Sequence, residues 1–181
     1  MAFSNEYPAR VRAVLESLQI PYDLVAARAL PLQPEAEELV VVEVGKKGRE
    51  HMLIPSAARA WLDLRTTAGA DGISLRIVSA FRGVSRQAEI VRDKLALGLS
   101  LEEILTVSAP PGYSEHHTGC AVDVTTDGVS ALELEFEKTP AFRWLLERAN
   151  SFSYFLSFPR DNPYGYAFEP WHWCFRPAAI A

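Results

Sequence analysis

Three of the four histidines in this chain fall in two short segments, and each segment also supplies a carboxylate. The first reads Ser114-Glu115-His116-His117-Thr118-Gly119-Cys120-Ala121-Val122-Asp123, the second Glu169-Pro170-Trp171-His172-Trp173. A histidine and an aspartate from the first, with a distant histidine from the second, make a three-ligand zinc set. Glu169 is then left over to act as a base. Three protein ligands, one open position for water and a carboxylate that stays off the metal are what a metal-dependent hydrolase needs. Two neutral imidazoles and one carboxylate leave such a zinc with a net charge of about +1, enough to draw the pKa of a bound water towards neutrality.

Each feature also has a plainer reading. A lone histidine is more often structural than a ligand, and His51 is read that way. The tryptophans around His172 equally suit an aromatic core strand, and Asp123 equally suits a strand-end carboxylate. Neither segment follows the helical H-E-x-x-H pattern, so spacing alone leaves the metal site and the structural reading level. Cys120 and Cys174 are too few for a disulfide scaffold, and neither sits in a C-x-x-C pair. Buried free thiols are the expectation, ahead of a disulfide or a ligand role.

The elements that must position these residues read as α+β. Apolar residues at helical spacing (Val11, Val14, Leu15, Leu18) predict a helix from about Glu6 to Leu18, ended by Ile20-Pro21. Leu39 to Val44 and His51 to Ile54 read as a hairpin around Gly45-Lys46-Lys47-Gly48. Pro55 opens a helix to about Thr67, broken over Gly69 to Gly72, and Ser74 to Ser79 alternates as a strand. A helix from about Ser85 to Leu97, with Ser85 as N-cap, ends at Gly98. Ser100 and Glu103 form a capping-box start for a short further helix. Cys120 to Thr125 is a strand, Thr139 to Asn150 a helix, and Trp171 to Phe175 a final strand. His116 and Asp123 are seven apart, and an odd separation cannot place both on one face of a continuous strand. His116 therefore belongs to the loop before the strand, with Gly119 providing the bend. Pro170 keeps Glu169 extended at the entry to the last strand.

Composition sets outer limits. With 181 residues the chain is long enough for one domain with a proper core. Residues 1–50 read as an N-terminal helix and hairpin elaboration on a zinc-site domain over 51–181. Apolar content of 49% and charged content of 23% are ordinary for a globular protein. A net charge of −5 without a Lys/Arg cluster argues against nucleic-acid binding. No apolar run approaches the ~18–20 residues of a membrane span. The N-terminus lacks a signal-peptide core, so a cytoplasmic location is expected for the chain as written. Periplasmic or cell-wall residence is the alternative if a signal was removed.

Three motifs occur in order: Ser79-Ala80-Phe81-Arg82-Gly83 with Gln87 as S-x-[FY]-R-x-x-x-x-Q, Ser114 to Asp123 as S-x-H-x-x-G-x-A-x-D, and Glu169 to Trp173 as E-P-W-H-W. Together they resemble the zinc D-alanyl-D-alanine carboxypeptidases and dipeptidases of the VanY/VanX type, a group that includes L,D-carboxypeptidases and phage peptidoglycan endopeptidases. The resemblance covers roughly residues 73–175. It implies a small α+β domain with a central antiparallel sheet flanked by helices, shared with the hedgehog signalling domain. It makes His116, Asp123 and His172 the ligands of Zn2+ and Glu169 the general base that activates water and protonates the leaving amine. Arg82 would polarise the scissile carbonyl, while Ser114 and Gln87 would help hold the substrate. His117 falls at an unassigned position and reads as a neighbour of the ligands or exposed. Gly83 departs from the Ser or Thr the family often has after the arginine, which puts the support of Arg82 in question. The implied activity is hydrolysis of a C-terminal peptide bond in a peptidoglycan stem peptide or in the D-Ala-D-Ala dipeptide, by a monomer. L,D-carboxypeptidase, D,D-dipeptidase and endopeptidase are the variants; a non-catalytic zinc-binding module is the rival of another class.

Overall fold

The structure, a computed structural model, describes residues 6–45 and 48–177. Helices α1 (Glu6–Ser17) and α2 (Tyr22–Ala27) come first, then strands β1 (Val40–Val44) and β2 (Glu50–Leu53), and helix α3 (Pro55–Ala70). Strand β3 (Arg76–Ser79), helices α4 (Val84–Ala96) and α5 (Leu101–Val107) and strand β4 (Ala121–Thr125) follow. Helix α6 (Pro140–Arg148) precedes the last two strands, β5 (Tyr154–Leu156) and β6 (His172–Phe175). β1 and β2 pair as a hairpin, so a division at residue 50 runs through a paired unit. The other four strands form an antiparallel sheet in the order β3-β4-β6-β5.

Alternation along β4 and β6 sorts their side chains onto two faces. Val122 and Val124 with Trp173 and Phe175 join the main core, where α3 contributes Ala57, Trp61, Leu64 and Ala68 at helical spacing. Burying each large apolar side chain contributes about 1.5–3 kcal/mol. Tyr154 is wholly buried in this layer, and its hydroxyl donates to the Ala57 carbonyl at 2.9 Å, tying β5 to α3. The opposite face presents Asp123 directly across from His172. A second core joins Val11, Leu15, Leu18, Ile20 and Val25 to Ala88 and Val91 of α4 and Ile104 and Leu105 of α5. The N-terminal helices are therefore packed on the helices that border the site.

Several expected boundaries move. α3 runs through Gly69 to Ala70, and the amides of Asp71 and Gly72 then bond back to its last turn. A single internal glycine costs a helix only ~1 kcal/mol, less than the burial of Trp61 and Leu64 on the same helix returns. α4 starts at Val84 rather than being capped by Ser85; its N-cap is Gly83, which has no side chain to bond. The capping box at Ser100 and Glu103 forms as expected. α2 and β5 carry too few residues for a periodic pattern to reveal them, and each is fixed by packing instead. Lys46 and Lys47 of the expected turn lie outside the described residues.

Candidate metal centre and catalytic cleft

His116 sits in a 3-10 turn (Glu115–Thr118) that ends at Gly119, whose φ of +66° is the left-handed conformation the sequence bend required. That turn swings His116 back over β4. Nε2 of His116 lies 3.1 Å from Oδ2 of Asp123, and Nδ1 of His172 lies 3.0 Å from Oδ1. One donor atom from each of the three residues falls within 4.8 Å of the others, and all three residues are buried. The imidazole rings stand nearly perpendicular, with centroids 5.0 Å apart.

The donor chemistry fits a small cation. Nδ1 of His116 lies 2.7 Å from the Ala80 carbonyl, so that nitrogen carries the proton and Nε2 turns its lone pair on the Asp123 carboxylate. His172 has the mirror arrangement: its Nε2 meets Glu115 Oε2 at 3.0 Å, leaving Nδ1 to face Asp123. Two lone pairs converging on a buried carboxylate repel unless a proton or metal ion lies between them. Zinc bonds of ~2.0–2.1 Å at tetrahedral angles put neighbouring donors about 3.3 Å apart, close to these separations. A carboxylate behind an imidazole, as Glu115 is behind His172, fixes its tautomer and would raise its basicity towards a metal.

Electrostatics separate the carboxylates into two kinds. Burial works against the charge of Asp123, but His116 and then His172 hold it well below the usual carboxylate range. Glu115 is held at about 2, the His172 bond and charge outweighing burial. In the absence of a metal, His172 is lifted to about 10 against its burial by the same two carboxylates. Glu169 behaves oppositely: burial pushes it up to about 7, with His172 opposing and Asp123 reinforcing. Its Oε2 lies 3.9 Å from Nδ1 of His172, off the close contacts of the ligand cluster. A carboxyl poised near neutrality is matched to proton transfer in both directions.

These groups line a cleft of about 400 Å³ together with Arg82, Ser114 and Lys94. Leu132, Phe158, Tyr166 and Trp171 form apolar parts of its wall. Phe158 packs on His172 with ring centroids 4.7 Å apart. Arg82 reaches the cleft from the turn after β3, and its buried Nε has no hydrogen-bond partner among the described residues. Burial disfavours its charge, while Asp123 and Glu169 favour it. Ser114 is buried and lines the cleft. Gln87 does not line the cleft: it is 1% exposed, and its Nε2 donates to the Ala109 carbonyl at 2.6 Å. It ties α4 to the Ala109-Pro110-Pro111-Gly112 loop, an alternative its position in the motif does not distinguish from substrate contact.

His117, which the sequence leaves unassigned, is fully buried and built into the backbone. Its Nδ1 donates to the Arg82 carbonyl at 2.5 Å and its Nε2 accepts from the Gly112 amide at 3.0 Å. Burial pulls it down to about 4, so it is neutral at pH 7. His51 is buried on β2 and lines a different cavity. Cys120 and Cys174 are free thiols. Glu115 and Lys94 are the site residues that sequence reasoning passed over; His117, expected beside the ligands or exposed, is the buried neighbour. Glu115 carries a weak signal, a carboxylate beside a ligand; Lys94 carries none beyond being a cation on a helix.

Comparison with known proteins places this site in a family. Residues 50–178 match the model of VanY, D-alanyl-D-alanine carboxypeptidase, and the chain belongs to that family. It is 33% identical over 121 residues to a D-alanyl-D-alanine carboxypeptidase of Enterococcus faecalis, covering 61% of this chain and 43% of that protein. It is 29% identical over 170 residues to the Bacillus subtilis protein YodJ, named for a carboxypeptidase, covering 87% and 62%. The chain thus spans less than two thirds of either relative. Among solved structures it resembles the LdcB LD-carboxypeptidase (TM-score 0.70, 27% identity, 80% of this chain and 71% of that one). It also resembles VanYB in complex with D-alanine-D-alanine (TM-score 0.61, 30% identity, 80% of each chain). A VanY D,D-pentapeptidase variant in complex with Zn(II) matches at TM-score 0.60 and 29% identity, over 81% and 82%. These matches agree with the α+β fold and antiparallel sheet that the motifs imply.

Proposed function

We propose that this chain is a zinc-dependent carboxypeptidase that removes the terminal D-alanine from a peptidoglycan stem peptide ending in D-Ala-D-Ala. The observation that carries the reading is the convergence of His116 Nε2, Asp123 and His172 Nδ1 beside a Glu169 pushed up to about 7. His116, Asp123 and His172 would hold the zinc, which would supply a lowered water pKa and Lewis-acid polarisation of the carbonyl. Glu169 takes a proton from the attacking water and returns it to the leaving amine as the C–N bond breaks. Arg82 aims a guanidinium with an unpartnered Nε into the cleft, where it stabilises charge developing on the carbonyl oxygen. An exopeptidase must also hold a terminal carboxylate. Lys94, whose Nζ donates to Ser108 Oγ at 2.6 Å on the cleft wall, is a second cation suited to that task. A purely structural zinc module has no use for a buried base and a cleft-facing arginine, which weighs against the non-catalytic alternative.

The test is incubation of the zinc-loaded protein with D-Ala-D-Ala, with muramyl tetra- and pentapeptides, and with a pentapeptide amidated at its C-terminus. Free D-alanine, or D-alaninamide from the amidated substrate, is read by mass spectrometry. Release from the pentapeptide and not from its amide supports the proposal. Release from the tetrapeptide alone would make the enzyme an L,D-carboxypeptidase, release from dipeptide alone a D,D-dipeptidase, and no release from any would remove the activity.

A further inference from the structure

We infer that Glu35, on the N-terminal segment, is a positioning residue for Arg82: its carboxylate caps α4 in place of the side chain that Gly83 lacks, and so fixes the turn that carries the arginine. The first amides of a helix have no partner within it and are ordinarily met by a Ser, Thr, Asp or Asn at the N-cap. α4 has Gly83 there, in the extended conformation a cap requires but with nothing to offer its amides. Oε1 of Glu35 takes the place of that side chain, accepting from the Val84 amide at 2.7 Å. A Cβ at Gly83 would stand 2.7 Å from the same oxygen. Glycine at 83 and the distant carboxylate are therefore two halves of one arrangement, and a larger residue at 83 would compete with Glu35 for the space.

Glu35 is itself well anchored. It pairs with Arg10 of α1, and the backbone on either side of it is bonded across to the ligand loop. The Gln33 amide donates to the Gly112 carbonyl at 2.8 Å, and the Ala36 amide to the His117 carbonyl at 2.8 Å. The Val84 amide and Arg10 together keep its carboxyl below the usual range despite partial burial.

The turn this cap secures is the one that carries Arg82. The Phe81 amide donates to the Met52 carbonyl at 3.0 Å, the Arg82 amide to the His116 carbonyl at 3.1 Å, and His117 Nδ1 to the Arg82 carbonyl at 2.5 Å. Those three bonds hold Arg82 from β2 and from the ligand loop; the Glu35 bond holds the helix that follows it. A displacement of about 1 Å in a positioned catalytic group can cost on the order of a hundredfold in rate. The segment before β1 thus contributes to chemistry without touching substrate. This inference rests on the peptidase reading only for its kinetic readout.

The experiment compares Glu35→Ala, Glu35→Gln and the double variant Glu35→Ala/Gly83→Ser with the parent, measuring kcat, KM, zinc content and hydrogen exchange of the Val84 amide. Glu35→Ala should lower kcat about tenfold, the scale set by loss of a helix cap, with KM and zinc unchanged and Val84 exchanging faster. Serine at 83, with the space cleared, should cap α4 itself and return kcat to within about threefold of the parent and Val84 exchange to its slow rate. Glu35→Gln keeps an acceptor for Val84 and should stay within about twofold, which also covers the case in which the alanine variant is too unstable to assay. Retention of kcat and Val84 protection in Glu35→Ala would overturn the inference. So would loss in Glu35→Gln equal to that in Glu35→Ala, or a loss that Gly83→Ser leaves unrepaired. A parent without peptidase activity would instead remove the functional reading, and Val84 exchange alone would then decide whether Glu35 holds this turn.

Discussion

The two sides of the cleft are built by different means. On one side, Asp123 and His172 are opposed residues on adjacent strands, so β4–β6 pairing sets their separation and the apolar face beneath holds both strands in place. On the other side, Arg82 stands on no regular element. It occupies a turn held by bonds from β2, from the His116-His117 loop and, through the first turn of α4, from residue 35. The ligand side inherits its precision from a sheet register, in which a slip of one residue would turn every side chain over. The arginine side depends on a few individual hydrogen bonds, each worth about 0.5–1.5 kcal/mol. Damage to the first should therefore be all-or-none, and damage to the second graded.

The largest effect that would break this contrast is on the metal. His116→Ala, Asp123→Ala and His172→Ala should each lose most bound zinc by elemental analysis, because two remaining donors hold zinc poorly. His117→Ala should keep it, since both its nitrogens are committed to backbone. The opposite pattern, metal lost with His117 and kept without His116, would shift the ligand assignment by one residue.

Next in size is Glu169→Ala, expected to keep zinc and fold while kcat falls by at least about two orders of magnitude. Near-parental turnover would take Glu169 out of the proton transfer. On the arginine side, Arg82→Lys keeps a charge but loses the planar fork, and should lower kcat by at least about tenfold with zinc content unchanged. His117→Ala should reproduce part of that fall through the lost bond to the Arg82 carbonyl, and a kcat equal to the parent's would show that this clamp is dispensable.

The smallest expected effect lies away from the cleft. Tyr154→Phe removes the bond to the Ala57 carbonyl and should cost about 1 kcal/mol of stability, a few degrees in Tm, with kcat unaltered. A fall in kcat there would mean that β5 transmits strain to the ligand strands, and the separation between a rigid sheet and a sensitive turn would need redrawing.

Much of the architecture was legible in local pattern. Helical spacing marks α1, the Ser100–Glu103 box marks the start of α5, and the alternation over Ser74 to Ser79 marks β3. The odd spacing from His116 to Asp123 already demanded a bend, and Gly119 makes it. Less could be read at element ends. Ser85 looked like a cap because it was the nearest local candidate, whereas the amide of Val84 is met from 49 positions away.

By itself, the sequence determined the chemical inventory: two histidines and an aspartate able to ligate, a spare glutamate, an arginine after a strand, and the order of elements that carries them. Residue type and short-range periodicity are enough for that, because both act within a few positions along the chain. Tertiary structure alone decided which nitrogen of each imidazole faces Asp123, that Glu115 stands behind His172, and that Gln87 serves a loop instead of the cleft. It alone placed Glu35 at the foot of α4. Tautomers, the buried environment that pushes Glu169 up to about 7, and a helix cap supplied from another segment all depend on groups far apart in sequence. Only the packing that closes the chain on itself brings those groups within reach of one another.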